Sequence, residues 1–143
     1  MEREFVPYAL AMKLKALGFD EPCFGYYVDG ELRGINLGIE ELGGIEPYYQ
    51  TFGFHTLSNH NIDNPNKIVV TAPTFSQAFR WFRETYRLDG KPEYFLNNFY
   101  CFIINNMKQE DTSRRLFTEF PSYEEAELAC LEKLIEIVEN KSE

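Results

Sequence analysis

Long apolar runs, paired cysteines and an excess of cations are all missing from this chain of 143 residues, and each absence closes off a class of protein. No stretch approaches the roughly 18 apolar residues of a membrane-spanning helix. The opening Met1-Glu2-Arg3-Glu4-Phe5 lacks the basic segment and apolar run of a secretory leader. Membrane insertion and secretion are therefore not expected, and a cytoplasmic protein is. Cys23, Cys101 and Cys130 are odd in number and widely spaced, with no Cys-x-x-Cys pair, which fits neither a disulfide framework nor a zinc ribbon. Lys and Arg number 14 against 23 Asp and Glu, a net charge of −9, so the long-range field repels nucleic acid and anionic membranes. The nucleophile elbow, the phosphate-binding loop and the dinucleotide fingerprint are absent as well. These gaps point away from catalysis, and no cofactor is expected.

What is present belongs to an ordinary globular chain: 44% hydrophobic and 26% charged residues, at a length typical of one domain spanning residues 1–143. The abundant class is aromatic, with 13 Phe, 9 Tyr and 1 Trp. Such side chains bury large areas and anchor interfaces, so their excess calls for a core or a partner.

Pro7 opens a first helix that runs to Leu17, where Gly18 supplies a left-handed cap followed by apolar Phe19. Residues 23–28 and 31–35 flank Asp29-Gly30, the dipeptide of a two-residue hairpin turn. Residues 36–66 are rich in Gly and Asn and read as long loops, with one strand over 48–54. A short buried strand over 67–70 precedes a helix introduced by Pro73 and continuing to Leu88, with Thr71 or Thr74 near its N-cap. Residues 94–107 and 115–120 form a second hairpin, whose first strand is apolar on both faces. Ser122-x-x-Glu125 is a capping box that opens a last helix to Asn140. The order predicts an α+β fold of two layers, in which antiparallel β-hairpins carry three helices.

Three strings resemble a family of small uncharacterised proteins from gut Bacteroides-type bacteria and their phages or prophages. They are residues 6–23, 78–84 (Ala-Phe-Arg-Trp-Phe-Arg-Glu) and 122–131. The resemblance covers the two ends and the middle helix, and leaves out residues 36–66 and 93–113. It implies a bacterial or phage origin, and with no activity attached to that family it supplies no catalytic residue.

Several residues are candidates for function. Arg80, Arg83 and Arg87 form a cationic stripe on the middle helix, with Trp81 at its border, and could hold an acidic partner; a solvated helix face explains the same stripe. Tyr100 and Phe102 share one face of the two-sided apolar strand and complete the expected binding surface. His55, His60 and Asp63 combine imidazoles with a carboxylate, the donor set of a metal-assisted hydrolase, in a stretch that reads equally well as a polar loop. Cys23 is the only thiol outside an obviously apolar pattern and could join that set. Glu125, Glu132, Glu136 and Glu139 line one side of the last helix and could imitate a phosphate row to occupy a DNA-binding host protein, though glutamates also serve simply as exposed helix formers. Glu127 falls within the apolar arc of that helix. The reading these features favour is a non-catalytic protein-interaction module whose partner is another protein or a second copy of the chain, with the hydrolase and the acidic mimic as alternatives.

Overall fold

The computed structural model describes residues 2–34, 59–108 and 114–141. The described residues form an α+β fold with three α-helices and two open antiparallel sheets. The chain divides into two compact units, Met1–Thr74 and Phe75–Glu143. The expected strand over 48–54 lies outside the described residues, as does His55.

In the first unit a 3-10 turn, Glu2–Glu4, precedes helix α1 (Tyr8–Ala16). Pro7 occupies the N-cap position, where its missing N–H costs nothing. The helix stops at Gly18, whose φ of 100° suits a residue without a Cβ. There the Phe19 N–H donates to the Leu14 carbonyl and the Gly18 N–H to that of Lys15, at 2.9 and 3.0 Å, which together form a Schellman cap.

Strands β1 (Gly25–Val28), β2 (Glu31–Gly34), β3 (Ile62–Asn64) and β4 (Lys67–Ala72) form a sheet in the order β2-β1-β4-β3. Asp29 and Gly30, at φ of 50° and 86°, make the expected tight turn between β1 and β2. Alternation along β1 turns Gly25 and Tyr27 inward. Gly25 lies flat under Phe5, where an added Cβ would fall 2.8 Å from the ring. Tyr27 donates its hydroxyl to the Val6 carbonyl at 2.7 Å, so its buried phenol is satisfied. Val6, Leu10, Leu14, Phe19, Val70 and Ala72 complete this core, with α1 packed against β4.

The second unit begins with helix α2 (Phe75–Tyr86), directly after Thr74. Thr71 is instead a buried residue of β4. Strands β5 (Leu88–Leu96), β6 (Phe99–Asn106) and β7 (Arg114–Phe120) lie in sequential order, and helix α3 (Tyr123–Lys141) packs on β5 and β6. Gly90 allows the close approach of α3: a Cβ there would meet Cys130 Sγ and Leu134 Cδ1, each at 2.9 Å. The Ser122 hydroxyl accepts the Glu125 N–H at 3.1 Å and pairs with the Glu125 carboxylate at 3.2 Å, closing the capping box.

Several boundaries differ from the sequence reading: β4 runs on to Ala72 rather than ending at Val70, and β3 lies within the stretch read as loops. The middle helix ends at Tyr86 rather than Leu88, because Arg87 takes a φ of 59° and turns the chain into β5. The long apolar strand expected over 94–107 is two strands, with Asn97 and Asn98 at φ of 52° and 65° in a tight turn between them. β5 escaped notice because Gly90, Lys91, Pro92 and Glu93 depress its strand signal, yet such residues are tolerated at an edge, where ladder bonds run to one side only.

Candidate functional site

The β5–β6 hairpin outruns the helix that covers its base. Its inner face starts in the core: Phe102, 3% exposed, stacks on Phe117 at 4.5 Å between ring centroids and meets Phe120 at 5.4 Å. One step toward the turn, Tyr100 is half-buried between Tyr94 at 5.6 Å and Tyr123 at 6.0 Å, both edge-on. Tyr123 is the first residue of α3, so helical cover ends at this rung. Beyond it no described helix covers the apolar side chains, which occupy both faces of the hairpin: Tyr94 pairs with Tyr100 on the α3 side, and Leu96 pairs with Phe99 on the other. Tyr94, Leu96, Phe99 and Tyr123 are 59%, 46%, 41% and 42% exposed, and Phe95 is exposed as well.

Local rules explain why the hairpin holds this shape. Positive φ at both Asn97 and Asn98 matches the right-handed twist of the flanking strands, and asparagine tolerates that region better than most residues. The Asn98 N–H donates to the Tyr94 hydroxyl at 3.3 Å across the turn. Register shifts between Tyr94 and Leu96 in β5, and opposite Tyr100 and Phe102 in β7, bend the end of the sheet. From Tyr94 through Met107 the sequence carries no charged side chain. The other large apolar residues exposed among the described residues are Phe24, Ile62, Ile68 and Met107. Ile62 pairs with Val69 and Ile68 with Asp63, which sends Ile62 and Ile68 to opposite faces of their hairpin.

The expected binding residues divide. Tyr100 belongs to the hairpin end, while Phe102 is core. Trp81 is 7% exposed, with its ring edge-on to Phe82 at 5.1 Å and Tyr86 at 5.3 Å, so the indole serves helix packing. Arg80 is exposed on α2, Arg83 sits 3.9 Å from Asp89, and Arg87 lies past the helix end. The arginine stripe is therefore a helix face without the Trp81 platform. Missing from the sequence reading of the site are Tyr94, Phe95, Leu96 and Tyr123. The asparagine pair at 97–98 was the signal that would have placed them at a turn.

The residues considered for chemistry have other employment. His60 stacks on Tyr26 at 4.1 Å, and partial burial lowers its pKa below the ordinary histidine value. Asp63 forms an exposed ion pair with Lys15 at 3.0 Å. Among the described residues no group of three His, Cys, Asp or Glu side chains could hold a metal. Cys23 is buried and donates to the Glu21 carbonyl at 3.3 Å. Burial, with smaller contributions from the Asp89 and Glu127 carboxylates, pushes the Cys130 thiol up to about 12, away from the reactive thiolate. A recess of about 250 Å³ among Tyr86, Leu88, Lys108, Val138 and Lys141 offers two ammonium groups and a phenol, without a nucleophile beside a base.

On the last helix Glu132, Glu136 and Glu139 are exposed, with Glu136 paired to Lys133 at 2.9 Å, and Glu125 is occupied by the cap. No helix among the described residues is long and apolar enough to cross a membrane. No protein-family model, curated protein or solved structure matches the chain.

Proposed function

We propose that this chain is a non-catalytic protein-interaction module of bacterial or phage origin, acting in the cytoplasm and holding a protein partner at the end of the β5–β6 hairpin. The observation that supports this reading is the exposure of Tyr94, Phe95, Leu96, Phe99 and Tyr123 around one hairpin end, on both of its faces, where residues 94–107 carry no charge. Single apolar residues scattered over a surface need no explanation, but five exposed around one hairpin end favour a partner that grips both of its faces. Aromatic side chains are also the residues that dominate binding energy once water is excluded from around them. The proposed surface keeps Tyr100 from the sequence reading and moves away from Trp81 and Phe102, which are buried.

A photoreactive benzoylphenylalanine in place of Leu96 tests the placement in cells that carry the protein naturally. The expected result is a discrete cross-linked adduct from Leu96 and none from the same group at Glu132. Equal labelling from both positions, or none from Leu96, would contradict it.

A further inference from the structure

Carboxylates adjoin the exposed aromatic end along the chain. Glu93 immediately precedes Tyr94, Glu119 precedes the Phe120 that pairs with Tyr100, and Glu124 and Glu125 follow Tyr123. All but Glu93 are exposed. The one cation of the neighbouring strand segment, Lys91, is committed to Glu93 at 3.3 Å. The hairpin end is thus apolar on both faces and flanked in sequence by carboxylates, on a chain whose net charge is −9.

That pattern discriminates among occupants. A second copy would bring −9 against −9, and like charges across an interface oppose association. Nucleic acid and anionic lipid are repelled by the same field. Pairing of a partner strand along the free edge of β5 is hindered by Pro92, which has no N–H to offer. A cationic segment with apolar anchors meets every feature. Its apolar side chains cover Leu96 and Phe99 on one face, its Arg or Lys groups face the carboxylates, and an arginine can lie on the exposed ring of Tyr94 on the other. Resting on the interaction reading above, we infer that the partner presents an Arg- or Lys-flanked apolar segment to the hairpin end.

Three short fluorescein-labelled peptides test this on the full-length protein by fluorescence anisotropy. The first alternates Leu and Phe with Arg and Lys. The second keeps the apolar positions and replaces every cation by Glu, and the third keeps the cations and replaces every apolar residue by Ser. The first is expected to bind at least about tenfold more tightly than either of the others, with affinity falling as salt rises.

Two triple variants of equal charge change separate local from bulk attraction. Glu119→Gln/Glu124→Gln/Glu125→Gln, in which Gln retains the capping box, is expected to weaken the first peptide about fivefold. Glu132→Gln/Glu136→Gln/Glu139→Gln, on the far stripe of α3, is expected to leave it within about twofold. Equal binding of the first and second peptides, or equal effects of the two triples, would overturn the cationic partner while leaving the hairpin end as a contact site. If instead Phe95→Thr/Leu96→Thr bound the first peptide as wild type does, the contact site itself would be contradicted.

Discussion

Asn61 shows how one polar side chain can organise a unit. Its Nδ2 donates to the Phe19 carbonyl at 2.7 Å, and its Oδ1 accepts both the N–H and the hydroxyl of buried Thr71 at 2.9 and 3.3 Å. The side chain thereby prolongs the β3–β4 pairing and ties it to the cap of α1. Asn61→Ala strands these groups and is expected to cost about 1–3 kcal/mol in urea unfolding, since an unsatisfied buried polar group forfeits its full desolvation cost. A loss below about 0.5 kcal/mol would show that water takes over the role. Cys130 makes a second prediction at this scale. Its thiol is raised to about 12 in the folded chain against 9.0 when unperturbed. Between those values the unfolded chain releases a proton that the folded chain retains, so stability is full below pH 9 and declines as pH rises toward 12. Cys130→Ala is expected to flatten that decline, and an unchanged alkaline slope would assign it elsewhere.

At the scale of elements, each part that could be read in the sequence had a local chemical signal. Pro7 and Gly18 bounded α1, Asp29-Gly30 fixed the first hairpin, and Ser122-x-x-Glu125 opened α3. What stayed hidden depended on partners distant in sequence or on a weak turn signal. β3 lay in an asparagine-rich stretch and exists because Ile62 to Asn64 find Lys67 to Val69 across a two-residue turn. β5 carries Gly90 and Pro92, and its identity comes from pairing with β6 on one side. The apolar run after Tyr94 concealed a turn because Asn-Asn is a poorer signal than Asn-Gly. The candidate site was half legible for that reason: Tyr100 was identifiable, but the residues around it gather only once the chain reverses at Asn97-Asn98. Asn98 at φ 65° is accordingly expected to accept Gly with little loss or a small gain, while Asn98→Val costs roughly 1–2 kcal/mol. Denaturant midpoints of the two variants decide this, and equal midpoints would contradict the left-handed turn.

At the scale of the molecule, aromatic residues fall into two populations with different duties. Phe5, Phe19, Phe79, Trp81, Phe82 and Phe102 are buried and stabilise the two units, whereas Phe95, Phe99, Tyr94 and Tyr123 stay in contact with solvent. Among the described residues Phe24 is the one other exposed aromatic, so most of the aromatic side chains left outside the cores belong to the hairpin end and the start of α3. The central claim is that this remainder is kept for a partner rather than for the fold. Urea unfolding of Phe95→Thr/Leu96→Thr beside Phe82→Ala tests it most directly. Threonine preserves strand propensity, so the hairpin variant is expected to stay within about 1 kcal/mol of wild type, while the core variant loses about 3–5 kcal/mol. A hairpin variant as unstable as the core variant would mean that these side chains hold the fold together, and the account of a binding surface would fail.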